Sequence, residues 1–335
     1  MTVFQKILLV RTDRIGDLLM NVPVMRRLRQ NFPKSYLTVL AHEASAPVLS
    51  RQPDIDEVLP VSDGLLATPA GRWDLARRLR SRRFDCAVVS NPAKFLHFAA
   101  WFGGIPVRAG YGRKWGFFLN RRIPDRKAAA GRHEIDSNLE LLDAFCTQAW
   151  DGTIDLGFRA NASETGAVLR RFGLEGDRRI VAVHLGTSDP RKEWPLSQWG
   201  EVIGGLARDG SLRVVLVGAS LDAARRESLG LAASPDLLDL TGRTTLPELA
   251  VLLGQSALLV STDSGPYHLA WMQGASVVGL FVKAAGGSSP GRWGVYPGFA
   301  KCVEIHKAAD EIRPAEVLDA IHRCLHLLST PNPRG

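Results

Sequence analysis

At 335 residues, 45% apolar and 23% charged, the chain is long enough for two cores and has the balance of an ordinary globular protein, not a disordered or fibrous one. No apolar run approaches the roughly 18 to 20 residues of a membrane-crossing helix. The net charge of +8 is uneven: residues 1–150 carry 23 Lys and Arg against 14 Asp and Glu, while the rest nearly balance at 19 against 20. A basic half suits a partner with phosphates or carboxylates, whether nucleic acid, an anionic membrane face or an anionic substrate.

In chain order, Lys6 to Arg11 reads as a buried strand and not a secretion signal, because Arg11, Asp13 and Arg14 follow its apolar run at once. After the loop Thr12 to Asp17, a helix is predicted from Asp17 to Gln30, with Leu18, Leu19, Val22, Met25 and Leu28 on its apolar side and Pro23 early in it. Strands follow at Tyr36–Ala41 and Glu57–Val61, with a short helix between them near Ala44–Arg51. Arg72 to Arg83 is a basic helix, Cys86–Ser90 a strand, Lys94 to Phe102 an apolar helix ended by Gly103-Gly104, and Val107–Tyr111 a strand. Gly112 to His133 breaks the rhythm as a long basic loop that interleaves Arg113, Lys114, Arg121, Arg122, Arg126, Lys127 and Arg132 with Trp115, Phe117 and Phe118. A helix from Glu134 to Trp150 and a linker with a strand and a connecting helix over Asp151–Asp177 come next.

The rhythm then restarts. Strands are predicted at Ile180–Leu185, Arg213–Val217, Leu237–Leu240, Ala257–Ser261 and Ser276–Phe281, with helices near Leu196–Arg208, Leu221–Ala232 and Leu246–Gly254 and a last helix at Pro314–Leu327. Alternating strands and helices imply parallel sheets covered on both faces. The four cysteines, Cys86, Cys146, Cys302 and Cys324, are far apart, lack metal spacing and read as reduced cytoplasmic thiols.

Three loops follow strands, and so lie where such sheets bind ligands. They are Asp13 to Asp17, Gly186 to Pro195, and the stretch around Asp263. The second joins a glycine, the hydroxyls of Thr187 and Ser188 and the cations Arg191 and Lys192, a composition suited to a diphosphate. It lacks Walker spacing, and no Gly-x-Gly-x-x-Gly follows any strand, which argues against ATPase and nicotinamide chemistry. In the third, Asp263, Ser264 and Gly265 sit where a strand gives way to a helix, with His268 one turn on. Free N–H groups and the positive helix end favour a phosphate there.

Four ordered pieces carry a resemblance: Arg11-Thr12-Asp13-Arg14-Ile15-Gly16-Asp17, Lys192-x-Trp194-Pro195, Thr241-Gly242-x-Thr244-x-Leu246-x-Glu248-Leu249-Ala250, and Asp263-Ser264-Gly265-x-x-His268-Leu269-Ala270. Over most of its length the chain resembles glycosyltransferase family 9, the ADP-heptose:lipopolysaccharide heptosyltransferases and their relatives. The resemblance implies an α/β chain of the GT-B fold, two doubly wound Rossmann-like domains facing across a cleft. Residues 1–155 would bind the acceptor, 156–178 would be a linker, and 179–335 would bind the nucleotide sugar, with the last helix packing on the first domain. It also implies inverting transfer of a heptose or related sugar, with ADP-heptose as donor, to a lipopolysaccharide-core or similar anionic glycolipid acceptor. The setting would be the cytoplasm, peripheral to the inner membrane.

By matching position Asp17 is the general base, taking the proton of the attacking hydroxyl, with Asp13 as its rival. Thr187, Ser188 and Lys192 match diphosphate contacts, Asp263 a carboxylate that orients the donor, and Ser264 and Gly265 backbone contacts with His268 close by. Thr244 falls where the family lines the base pocket, and Gly218 ends a strand beside it. Asp13, Arg14, Arg113, Lys114, Arg121 and Arg122 are expected to contact the acceptor. The basic loop and the basic helix at 72–83 would hold acceptor phosphates or the anionic membrane face.

No cofactor is expected to be required. Asp54-Ile55-Asp56 has the form that metal-dependent transferases use, yet it reads as a solvated turn, and Lys192 with a helix end can replace a cation. One stretch departs from the family. Where Leu-Phe-Gly-Pro-Thr is frequent, this chain has Leu280-Phe281-Val282-Lys283-Ala284, then Gly286-Gly287-Ser288-Ser289, and Ser276 stands where proline is common. The altered loop motivates two alternatives, a relative using another donor sugar and a non-catalytic binder of nucleotide sugar or glycolipid. A nucleic-acid binder has only the basic half in its favour.

Overall fold

A parallel strand buried on both faces needs an unbroken apolar run, and the segments KILLVR and RIVAVH, Lys6–Arg11 and Arg179–His184, supply one each. In the computed structural model, which describes residues 3–126, 131–158, 162–187, 189–283 and 288–329, these two strands are the first, central strands of the sheets in two α/β units, Met1–Gly157 and Phe158–Gly335.

The first unit runs β1 (Lys6–Arg11), α1 (Ile15–Leu19), α2 (Val22–Asn31), β2 (Tyr36–His42), β3 (Glu57–Val61), α3 (Asp63–Ala67), α4 (Pro69–Arg82), β4 (Cys86–Val89), α5 (Lys94–Phe102), β5 (Val107–Tyr111), β6 (Arg121–Ile123) and α6 (Glu134–Glu140). Among the described residues its sheet is wholly parallel in the order β3-β2-β1-β4-β5-β6. The second runs α7 (Ala162–Phe172), β7 (Arg179–His184), α8 (Leu196–Leu206), β8 (Leu212–Val217), α9 (Ala223–Ser228), β9 (Leu237–Asp239), α10 (Leu246–Gln255), β10 (Leu258–Thr262), α11 (Gly265–Met272), β11 (Ser276–Val282), α12 (Pro290–Trp293), β12 (Cys302–Lys307) and α13 (Pro314–Ser329). Its order, β12-β11-β10-β7-β8-β9, repeats the first. In each sheet the chain winds one way from the central strand and then the other. The crevice where such sheets bind ligands therefore opens after β1 and β4 in one unit and after β7 and β10 in the other. These are the Rossmann-like halves of a GT-B chain, the fold class expected.

Several elements differ from expectation. The predicted helix 17–30 is two helices, because Pro23 has no N–H to continue the ladder from α1. The Asn21 side chain bridges the break by donating to the Asp17 carbonyl at 2.9 Å. The helix predicted to Trp150 ends at Glu140: Arg27 Nη1 takes the Leu139 carbonyl at 2.9 Å, and the backbone tightens into three-residue turns from Leu141. The long basic loop holds a 3-10 turn, Gly116–Phe118, and the edge strand β6. Arg121 and Arg122 thus lie on a strand paired with Ala109 and Gly110. Lys127 falls outside the described residues. The linker helix is α7, packed on α10. Within the second unit α13 buries Val317, Ala320, Ile321, Cys324 and Leu325 in the core, against α8 and the second sheet.

Candidate active site

β1 delivers Arg11 into the first crevice. The residue is 4% exposed, and its guanidinium makes contacts in three directions. Nε donates to Asp13 Oδ1 at 2.7 Å, Nη2 to Asp17 Oδ1 at 2.5 Å, and Nη1 to the Ser90 carbonyl and hydroxyl at 3.2 and 3.1 Å. Glu134, buried at the start of α6, lies 3.7 Å from the same Nη1. Asp17 is in the first turn of α1, but the cap position belongs to Arg14, so the carboxylate is engaged by Arg11 and not by backbone. Burial raises the Asp13 carboxyl, with Asp17 adding to the rise and Arg11 opposing it. Two carboxylates sharing one buried cation leave acceptor oxygens free for a hydroxyl proton. Asn91, after β4, donates to Thr12 at 3.1 Å and ties the two loops of this crevice together.

In the second crevice the carboxylate of Asp263 is the hub. It follows β10 and is 8% exposed. Lys192, from the 3-10 turn Pro190–Lys192 after β7, donates from Nζ to Oδ2 at 2.6 Å, and Ser288 Oγ donates to the same oxygen at 2.7 Å. His268 Nε2 lies 3.5 Å from Oδ1. The Trp271 indole N–H can only donate, and it does so to His268 Nδ1 at 3.4 Å, so the imidazole proton sits on Nε2 and faces Asp263. Burial would push the Asp263 carboxyl up, but the bonds from His268 and Lys192 outweigh it and hold it far below the usual range. An ammonium has three N–H groups. With one on Asp263, Lys192 keeps two for a diphosphate.

The structure thus brings Lys192, Asp263 and His268 together. Thr187 lies in the same loop as Lys192, where its hydroxyl accepts from the Asp189 amide at 3.2 Å. Ser264 caps α11, accepting from the Tyr267 amide at 3.4 Å, and Gly265 is the first residue of that helix. Thr244 is half-buried one residue before Thr245, which makes a capping box with Glu248. Gly218 follows β8 at φ +116, and a Cβ there would meet His184 Cδ2 at 2.5 Å, so packing against His184 requires glycine. Ser188 lies outside the described residues. In the first unit Asp13 and Asp17 are joined through Arg11. Arg113, exposed after β5, pairs with Asp125 at 2.5 Å; Lys114, Arg121, Arg122 and Arg14 are exposed. The Asp54 and Asp56 carboxylates are taken by Arg26 and Arg29 at 3.2 and 2.6 Å. Among the described residues no group of three or more His, Cys, Asp or Glu is placed to hold a metal.

Two residues that organise these crevices escaped the sequence reading in that role, Arg11 and His184. Each is the last residue of its central strand, so a polar group ending an apolar run was the available signal. His184 Nδ1 contacts the hydroxyls of Ser261 and Ser264, each at 3.1 Å. Burial lowers this imidazole to about 4 from 6.5. The folded protein therefore refuses a proton that the unfolded chain takes below about 6.5, and stability falls as pH drops from there toward 4. Asp263 acts in the same sense at lower pH: its depressed carboxyl contributes stability above the ordinary carboxylate range and loses it as pH falls below about 4. Between pH 7 and 5 the His184 loss is about 2 kcal/mol. Urea unfolding at both pH values should show wild type losing that much more than His184→Asn; equal losses would refute the assignment.

Compared with known proteins, residues 72–317 match the family model described as glycosyltransferase family 9 (heptosyltransferase). Lipopolysaccharide heptosyltransferase 2 of Escherichia coli K12 is 25% identical over 331 residues, covering 96% of this chain and 94% of that protein. Among solved structures, E. coli ADP-heptose lps heptosyltransferase II superposes with a TM-score of 0.81 at 24% identity, over 97% of this chain and all of that one. The E. coli heptosyltransferase WaaC with ADP gives 0.75 at 20% identity, over 96% of this chain and 100% of that one. With a family match over most of its length and a shared fold, this chain belongs to glycosyltransferase family 9, the heptosyltransferases.

Proposed function

We propose that this protein moves a heptose from ADP-heptose, with inversion, to a phosphorylated saccharide of a lipopolysaccharide core at the cytoplasmic face of the membrane. One observation carries the reading most directly: the Lys192–Asp263 pair, with Ser288 and His268 on the same carboxylate, at the ligand crevice of the second sheet. The presence of ADP in a related structure and the names of the relatives support the choice of donor.

The chemistry is one displacement. The acceptor oxygen attacks the anomeric carbon, the bond from that carbon to the diphosphate breaks, and Asp17 takes the hydroxyl proton. Negative charge collects on the departing ADP, where the two unused N–H groups of Lys192 and the amides opening α11 stabilise it. Asp263 accepts from a sugar hydroxyl and fixes the donor beside that cation. Thr187 and Ser188 add hydroxyl contacts to the diphosphate, Gly218 and Thr244 border the base, and Arg14, Arg113, Lys114, Arg121 and Arg122 hold acceptor phosphates. No metal is required in this scheme, since Lys192 supplies the positive charge.

The test is to incubate purified protein with a panel of ADP- and UDP-sugars and a lipid-free core saccharide, then follow nucleotide release and the anomeric configuration of the product. Heptosyl product of inverted configuration, formed only with ADP-heptose, is expected. Turnover with a different nucleotide sugar alone would overturn the donor, retention would overturn the single displacement, and binding without turnover would make the protein a carrier.

A further inference from the structure

Of the seven most exposed large apolar side chains among the described residues, four lie on one surface of the first unit. Trp73 on α4, Trp101 on α5, and Trp115 and Phe117 at the 3-10 turn are 45% to 66% exposed. Ring contacts make them continuous. Trp73 meets Phe102 at 4.5 Å between centroids, Phe98 joins Phe102 at 5.9 Å to Phe118 at 5.6 Å, and Phe118 meets Trp101 at 5.1 Å, Phe117 at 4.4 Å and Trp115 at 6.1 Å. The segment that carries these rings is basic: from Arg72 to Arg126 there are 13 Lys and Arg against three Asp, a surplus larger than the +8 of the whole chain. Cations and rings interleave: Lys94 lies over Trp115, Arg80 over Phe102 and Arg72 over Phe95, at 5.8, 5.4 and 6.0 Å. The turn that presents Trp115 is strained, with Lys114 at φ 50 and Trp115 at φ 67. The buried His97 imidazole holds it through the Lys114 carbonyl at 3.1 Å.

We infer that this aromatic and basic face docks the protein on an anionic lipid bilayer. Indole and phenyl rings settle at headgroup depth, and Lys and Arg stems lie along them with their charges in the phosphate layer. Each cation near such a surface adds attraction that salt weakens. Single-stranded nucleic acid also takes rings and cations, but it stacks bases on open ring faces. Here three ring faces carry cations, and Phe118 meets Trp115 and Phe98 edge-on. The inference deepens the proposed function, because a glycolipid acceptor is presented at such a surface, but its test needs neither donor nor turnover.

The measurement is sedimentation with vesicles of phosphatidylcholine, or of three parts phosphatidylcholine to one of phosphatidylglycerol. Wild type should bind the anionic vesicles, release them as salt rises, and bind neutral ones weakly. Trp101→Ser with Phe117→Ser should weaken anionic binding by about tenfold or more. Arg77→Glu with Lys94→Glu, which spares the rings, should do so on anionic vesicles only. Both double variants should keep the wild-type turnover of a lipid-free acceptor. Undiminished vesicle binding by either would overturn the inference, as would wild type preferring a single-stranded oligonucleotide to anionic vesicles. A fall in lipid-free turnover with an unchanged melting point would also overturn it, assigning the face to the acceptor saccharide.

Discussion

Asp17→Asn should lower kcat by about a thousandfold while leaving acceptor and donor KM within a few fold, since a positioned base contributes roughly a hundred- to ten-thousandfold. Asparagine keeps an oxygen for the 2.5 Å bond from Arg11, so the fold of the loop should survive and the melting point should barely move. Asp13→Asn is the decisive companion. Burial raises the Asp13 carboxyl, which strengthens it as a base. If Asp17 is the base, Asp13→Asn should cost only about tenfold, through the loosened guanidinium of Arg11 and the lost acceptor contact. The reverse pattern, with Asp13→Asn the more damaging in kcat, would move the role to Asp13. Comparable large losses would mean that the pair acts as one unit through Arg11.

Lys192→Met should weaken ADP binding and lower kcat/KM by about a hundredfold or more, because one charge aimed at the departing diphosphate is removed. The same substitution should also destabilise the fold. Asp263 is 8% exposed and keeps Ser288 and His268, yet loses the only Lys or Arg paired with it among the described residues. Removing one partner of a fully buried pair costs about 3–5 kcal/mol. Lys192 is 22% exposed at its side chain, so about 1–2 kcal/mol is expected here. Since Asp263 is held far below the usual carboxylate range, that contribution is present near neutrality and disappears as pH falls beneath about 4. Lys192→Arg separates the two effects: it restores the charge, and with it most of the stability, but not the point contact to phosphate. Isothermal titration with ADP, a melting curve and steady-state rates for both variants decide it. Wild-type ADP affinity in Lys192→Met would remove Lys192 from the donor site.

The family, the fold class and most strands were legible in the chain. Apolar runs such as KILLVR and RIVAVH report burial on both faces directly, and the residues after them, Asp13 to Asp17 and Thr187 to Lys192, must lie at the carboxyl edge of a parallel sheet. The edge strand β6 was not legible, although the equally short edge strand β9 was. β6 has three residues, two of them Arg, and becomes a strand only because β5 offers it a free edge. The alternation Cys302-Val303-Glu304-Ile305-His306-Lys307 did carry a strand signal that went unread. What tertiary structure alone decided is pairing. Nothing in spacing says that Lys192 and Asp263, 71 residues apart, meet at 2.6 Å, or that Arg11 joins Asp13 and Asp17 to Glu134 and Ser90. Local pattern determines which residues reach a sheet edge. Which edge residues become neighbours depends on strand order, and strand order follows from how the helices cover both faces, a property of the folded chain and not of any window of sequence.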